Sequence, residues 1–241
     1  MFKNSILVAD LLKNERHISK LMRRGKCIYQ PLQEYKEIPI KTATTLTLAN
    51  GTTAKLTASA LTYQMTNPYR ANIVSVDLGD NVTSIGEFTF GSCPKLSSVT
   101  ISDSVTTIGN NAFNNDPLLK EITFPNSVTS MGVRMFFNSS GLTSVTLSEN
   151  ITTLPEYTFY GCSILQSVTV PAKVSSLGES VFSNCSGLTG VTFLSTTPPT
   201  ITTASFGLPN TFTIYVPANR VNAYKSANVW STYASRIQAI P

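Results

Sequence analysis

Leucine recurs at Leu96, Leu119, Leu142, Leu165 and Leu188, each step being 23 residues. Val99, Ile122, Val145, Val168 and Val191 follow three residues later, and Ile101, Phe124, Leu147, Val170 and Phe193 two after that. Further apolar columns keep the period: Val105, Val128, Ile151 and Val174; Ile108, Met131, Leu154 and Leu177; Phe113, Phe136, Phe159 and Phe182. The register extends backwards through Ile73, Val76, Leu78, Val82, Ile85 and Phe90. Five full rungs therefore run from Ile73 to Gly187, and a sixth begins at Leu188 and breaks at Thr197-Pro198-Pro199. A single rung of this length cannot bury its own apolar face, so such a chain has to stack its rungs around one continuous core.

Within a rung, the alternation in Leu142-Thr143-Ser144-Val145-Thr146-Leu147 marks a short half-buried strand. The pair Val82/Ile85 and its equivalents mark a second extended or turning piece. Gly86, Gly109, Gly132 and Gly178 follow, where a bend needs positive φ or close backbone approach. The fourth rung has Pro155 there, so the bend also tolerates a fixed negative φ. The remainder, such as Glu156 to Tyr160, reads as about one helical turn. The expected fold is a mostly β solenoid, with a phenylalanine column running through its core.

These rungs resemble BspA-like leucine-rich repeats of the Bacteroidetes type. The resemblance is carried by Val-Thr-Ser-Ile-Gly-Glu-Phe-Thr-Phe (82–90), Leu-Thr-Ser-Val-Thr-Leu (142–147), Phe-Tyr-Gly-Cys-Ser (159–163) and Phe-Ser-Asn-Cys-Ser (182–186). It covers about residues 73–194. It implies a leucine-rich-repeat array used for attachment, without catalytic residues.

Solenoid ends expose core and require covers. Thr44–Leu48 and Thr53–Thr57 alternate around Asn50-Gly51, a hairpin pattern, and are expected to cap the first rung through Leu61–Tyr69. Thr211–Val216 is expected as a final strand and Arg220–Ala227 as a short helix with Val221 and Tyr224 on one face. Trp230, the single tryptophan, is expected to plug the far end with Tyr233, Ile237 and Ile240 rather than to serve a ligand. This tail also resembles the cap that closes such arrays in gut Bacteroidetes. The domains are then 1–40, an attachment segment; 41–72, a cap with a hairpin; 73–197, the solenoid; and 198–241, a strand–helix cap.

The net charge of +5 is local. Residues 1–41 hold nine of the eighteen bases and four of the thirteen acids, so the rest of the chain is neutral. Leu7, Leu11, Ile18, Leu21, Arg23 and Arg24 are candidate anchor residues in this basic and apolar segment. It reads as a helix near residues 4–14 followed by a hairpin; a rival reading makes Ile18–Tyr29 a hairpin turning at Arg23-Arg24-Gly25. It resembles the short N-terminal attachment modules of tail or head-decoration proteins from phages that infect Bacteroides. Ile6-Leu7-Val8-Ala9 is stopped by Asp10, too short for a secretory h-region, and no stretch reaches the length of a membrane span.

Catalytic chemistry finds little material. His17, the only histidine, lies outside the repeats, which removes the usual base for nucleophilic schemes. Cys27, Cys93, Cys162 and Cys185 show no CxxC spacing, so no metal or cofactor is expected. Cys162 and Cys185 would stand on adjacent rungs, as buried thiols rather than a disulfide. Charged residues are only 13% of the chain, which leaves a hydroxyl- and amide-rich surface. The outward strand positions Ser98, Thr100, Glu121, Thr123, Ser144, Thr146, Ser167 and Thr169 form a candidate binding face for a host surface protein or glycan. The functional expectation is a phage virion component, present in multiple copies, docked to other virion proteins by residues 1–40 and presenting the solenoid to the host. The alternative is a bacterial cell-surface or secreted adhesin. Neither an enzyme nor a nucleic-acid binder is expected.

Overall fold

The computed structural model describes residues 42–207 and 211–241. The chain divides into two units, Met1–Pro39 and Ile40–Pro241. The anchor residues Leu7, Leu11, Ile18, Leu21, Arg23 and Arg24, the helix and hairpin readings of that segment, His17 and Cys27 all lie outside the described residues.

Strands β1 (Thr44–Leu48) and β2 (Thr53–Leu56) form the expected antiparallel hairpin, with Gly51 at φ +81° in its turn. A short β3 (Ala60–Leu61) and helix α1 (Tyr63–Thr66) lead into the rungs. Each rung then carries two short strands. They are β4 (Ile73–Asp77) and β5 (Ser84–Ile85); β6 (Ser98–Thr100) and β7 (Thr107–Ile108); β8 (Glu121–Thr123) and β9 (Ser130–Met131). Next come β10 (Ser144–Thr146) and β11 (Thr153–Leu154); β12 (Ser167–Val170) and β13 (Ser176–Leu177); and β14 (Gly190–Phe193). The cap adds β15 (Thr213–Val216), helix α2 (Val221–Ser226) and β16 (Ile237–Ala239).

First strands pair in parallel with a 23-residue offset, as in Val76 opposite Val99, Ile122 opposite Val145 and Val168 opposite Val191. Second strands also pair in parallel from β3 to β9, Leu61 opposite Ile85 at a 24-residue offset and Ile85 opposite Ile108 at 23. The segment before Ile73 is thus more than a connection, because β3 supplies the first strand of the second side. A third set of backbone bonds joins the turns, with Phe90 N–H donating to Ala112 O, Phe113 to Met135 O, Phe136 to Thr158 O and Phe159 to Val181 O. Adjacent rungs are therefore hydrogen-bonded on the turn side and on one or both strand sides, the ladders pausing between β6 and β8, β10 and β12, and β9 and β11, which satisfies backbone groups that stacking would otherwise bury unpaired.

The core is the set of columns read from the sequence. Phe90, Phe113, Phe136, Phe159 and Phe182 are each fully buried. Their neighbouring rings stack at 5.8, 6.0, 5.7 and 5.6 Å with interplanar angles of 17° or less. The column does not end there. Phe206 stacks on Phe182 at 6.4 Å and 27°, Thr200 bridges to Ser176, and Val181 N–H donates to Ser205 O. The sixth rung therefore continues past Thr197-Pro198-Pro199, with a 24-residue step from Phe182 to Phe206. One inserted residue hides it from a search at fixed period.

Of the two constraints expected at the bends, positive φ or close approach, the structure shows the second. Gly109, Gly132 and Gly178 do not adopt positive φ. A Cβ there would come within 2.6, 2.4 and 2.4 Å of backbone nitrogens in the preceding rung, so close approach is the constraint. The left-handed residues come two positions later, at Phe88, Asn111, Arg134, Tyr157 and Ser180, and four further on at Ser92, Asn115, Asn138, Gly161 and Asn184. These replace the expected helical turn with tight turns such as Tyr160 N–H to Tyr157 O. The aromatic and basic side chains were uninformative here because left-handed backbone is normally a glycine or asparagine position.

At the far end Trp230 is 1% exposed and its Nε1 donates to Pro199 O at 2.7 Å. Tyr224 Oη donates to Ser195 O and Tyr233 Oη to Thr203 O, while the Trp230 ring sits edge-on to Phe193, Phe206 and Tyr224. Two details depart from the sequence reading. Strand β15 is not the last, since β16 pairs with it in parallel. Ile240, one residue beyond β16, lies at 36% exposure outside the plug.

Candidate functional site

The first-strand side presents the columns anticipated from sequence. Ser75 stands opposite Ser98 and Asp77 opposite Thr100; Glu121 opposite Ser144 and Thr123 opposite Thr146; Thr169 opposite Thr192. Strand β6 also neighbours β8, and β10 neighbours β12, which carries the side across all the rungs. Ser98, Thr100, Glu121, Thr123, Ser144, Thr146, Ser167 and Thr169 are all exposed. The structure therefore brings the eight residues onto one face, as inward residues such as Ile122 and Val168 force their neighbours outward.

Hydroxyls in this protein divide into two groups. One residue before each first strand, Ser97, Thr143 and Thr189 donate to the carbonyls of Val74, Lys120 and Gln166 at 3.1, 2.9 and 3.0 Å. Before the second strands, Thr83, Thr106, Thr129 and Ser175 donate to Ser59, Thr83, Thr106 and Thr152 carbonyls. These groups tie rung to rung. In contrast, the hydroxyls of Ser98, Thr100, Thr123, Ser144, Thr146, Ser167 and Thr169 make no hydrogen bond among the described residues. They retain full donor and acceptor capacity toward solvent or a partner.

The face is bounded. At Gly190 the ring of Tyr215 closes over the position a Cβ would take, with Cε2 3.0 Å from it. Where the first strands of the fourth to sixth rungs end, a groove of about 480 Å³ opens beside Thr146 and Thr169. Its floor is Val145, Leu147, Pro171, Ala172 and Leu194, and Glu149 and Lys173 stand among its lining residues. Leu194 is 43% exposed. The sequence reading missed this groove. Its one visible cue is an apolar residue at Leu194, where the second and fourth rungs place Ser102 and Ser148.

No group of three or more His, Cys, Asp or Glu able to hold a metal occurs among the described residues. Asp77 and Glu121, the carboxylates closest to a shared region in sequence terms, fall in different columns two rungs apart. Cys93, Cys162 and Cys185 are free, buried thiols. Burial pushes the Cys93 and Cys185 thiols up to about 12 and raises Cys162 as well, which keeps them protonated and unreactive. Their column also holds Asp116 and Ser139, and its function is structural. Ser139 Oγ donates to Phe113 O at 2.7 Å, Cys162 Sγ to Phe136 O at 3.2 Å and Cys185 Sγ to Phe159 O at 2.9 Å. No helix among the described residues is long and apolar enough to cross a membrane.

Fold and face together define a leucine-rich-repeat solenoid, a class whose extended repeat surfaces act in recognition. Residues 68–189 match the BspA type leucine rich repeat region in six copies, and the chain belongs to that family. A leucine rich repeat protein of T. pallidum is similar in structure, at 25% identity and TM-score 0.50, over 67% of this chain and 69% of that one. A leucine-rich repeat protein of Eubacterium ventriosum shares the fold at 21% identity and TM-score 0.53, over 72% of this chain. This chain spans about half the length of that protein, 48%. No curated protein matches the chain in sequence.

Proposed function

We propose that this protein is a bacterial cell-surface or secreted recognition protein, an adhesin whose first-strand face binds a host protein or glycan without chemical turnover. The observation that carries the reading is the unspent hydroxyl face. Seven Ser and Thr side chains are exposed in register and make no hydrogen bond among the described residues, while hydroxyls elsewhere on the same rungs are used structurally. Affinity on such a face comes from area and repetition rather than from an enclosed pocket, and the apolar groove beside Thr146 and Thr169 adds a local anchor. The test is binding of the labelled chain to epithelial monolayers, untreated, trypsin-treated or periodate-treated. Thr146→Arg with Thr169→Arg is expected to abolish binding while leaving the fold intact. Equal binding by the double variant removes the face from the function, and protease shaving of intact cells checks surface exposure.

The charge distribution favours a second reading. Residues 1–41 concentrate the net positive charge of a chain that is otherwise neutral, which suits a docking segment. In that reading the segment holds several copies of the chain on a phage particle, against other virion proteins, and the solenoid points to the host. A chain lacking residues 1–40 then folds but fails to enter particles. Its normal incorporation, or the absence of the full chain from purified particles, sends the assignment back to the cell surface.

A further inference from the structure

On the turn side of the third and fourth rungs, away from the strand face, four side chains form a cluster that the repeat does not require. The rings of Phe137 and Tyr160 stack at 4.7 Å and 6°, closer than any pair in the core column. Tyr157 stands edge-on to both, at 6.4 and 5.9 Å, and the Arg134 guanidinium lies 5.2 Å from the centre of the Tyr157 ring. The three rings are half-buried and Arg134 is exposed. Neighbouring rungs show that aromatic residues are not needed here. The backbone bonds Asn115 N–H to Phe137 O, Asn138 N–H to Tyr160 O and Gly161 N–H to Ser183 O align one column, in which the second and fifth rungs hold Asn114 and Ser183. The Tyr157 column holds Asn111 and Ser180 in the same left-handed conformation. A tyrosine at φ +57° is a costly choice where serine is accepted next door and asparagine two rungs away.

The polar groups of the cluster are unspent. The Tyr157 and Tyr160 hydroxyls and the Arg134 guanidinium make no hydrogen bond or ion pair among the described residues. Glu156 and Glu179 are exposed alongside, their backbone carbonyls accepting from Arg134 N–H and Tyr157 N–H. Flat apolar rings edged by both donors and acceptors match one ligand chemistry well. A neutral pyranose offers a C–H face to an aromatic ring and a rim of hydroxyls that both donate and accept. Carboxylates beside the single guanidinium disfavour an acidic sugar. We infer that Phe137, Tyr157, Tyr160 and Arg134 form a second binding site, specific for a neutral hexopyranose glycan and independent of the strand face.

The test uses the full chain with five neutral oligosaccharides: maltohexaose, cellohexaose, mannohexaose, galactohexaose and chitohexaose. Saturation-transfer NMR and calorimetric titration read binding. At least one sugar is expected to bind and to contact tyrosine ring protons. Tyr157→Ser and Tyr160→Ser copy Ser180 and Ser183 of the adjacent rung and so preserve the fold, and each is expected to weaken binding about tenfold or more. Thr146→Arg on the strand face is expected to leave sugar affinity unchanged, which separates this site from the proposed adhesive face. Silence with all five sugars overturns the inference. So does affinity unchanged in both tyrosine variants, affinity lost in Thr146→Arg, or selective binding of unstructured peptides in place of sugars.

Discussion

The rings of Phe136 and Phe159 lie 5.7 Å apart and 9° from parallel, 23 residues apart in sequence and one rung apart in space. Each is fully buried, so each closes part of the core for two neighbours. Phe136 also meets Phe124 at 5.9 Å and Phe113 at 6.0 Å. Phe136→Ala opens a cavity at the middle of a column whose walls are held by turn-side bonds to the neighbouring rungs, Phe113 N–H to Met135 O and Phe136 N–H to Thr158 O. The expected loss is about 3–5 kcal/mol of unfolding free energy, measured by urea denaturation. A loss below about 1 kcal/mol would show that the rungs do not share this interior.

Asp116 gives the protein a pH dependence of unusual sign. Its carboxyl is fully buried, Oδ1 accepts from Cys93 N–H at 2.7 Å, and Oδ2 has no hydrogen-bond partner among the described residues. Burial pushes its pKa well above the usual carboxylate range. A buried Oδ2 with no donor facing it leaves the carboxylate unsolvated, so the neutral acid is the favoured form. The folded chain therefore holds this proton more tightly than the unfolded chain. Its contribution is complete below the unfolded value near about 4 and is lost as pH rises toward the raised folded value. Asp116→Asn stays neutral throughout. It is expected to match the natural protein near pH 4 and to exceed it in Tm increasingly toward pH 8; parallel melting curves across that range would contradict the burial argument.

The repeat columns were legible because burial demands the same residue class at one spacing, and a fixed period leaves little freedom in register. Face residues such as Thr146 and Thr169 followed automatically from inward Val145 and Val168. What escaped reading depends on departures from the period or on unexpected backbone. Phe206 was hidden by one inserted residue, and the left-handed turns by Phe88, Arg134 and Tyr157 standing where glycine or asparagine would announce them. The groove beside Leu194 depends on three rungs at once and on where the array departs from its pattern. A one-dimensional pattern has no term for such a junction.

The thiols offer a check on rung integrity. Cys93, Cys162 and Cys185 are buried and held protonated by burial. With a disulfide-exchange reagent at pH 8, these three are expected to react only at the rate of unfolding, and all together on addition of denaturant. Cys27 lies outside the described residues and is replaced by serine for the measurement. A fast phase from any of the three in native buffer would mean that the column opens locally.

The two hydroxyl groups of the rungs should separate cleanly by mutation. Thr106 Oγ1 donates to Thr83 O and Thr143 Oγ1 to Lys120 O, each joining adjacent rungs. Thr146 and Thr169 have hydroxyls without a hydrogen-bond partner among the described residues. Thr143→Val removes a bond of the fold and is expected to cost about 0.5–1.5 kcal/mol, with adhesion unchanged once the variant is folded. Thr146→Val with Thr169→Val keeps the strand-favouring branched shape and is expected to leave stability within about 0.5 kcal/mol while lowering adhesion. Denaturation and cell-binding assays on the same preparations decide the matter. Should the double variant lose stability and keep adhesion, the exposed columns would belong to the scaffold, and recognition would have to be sought on another side of the solenoid.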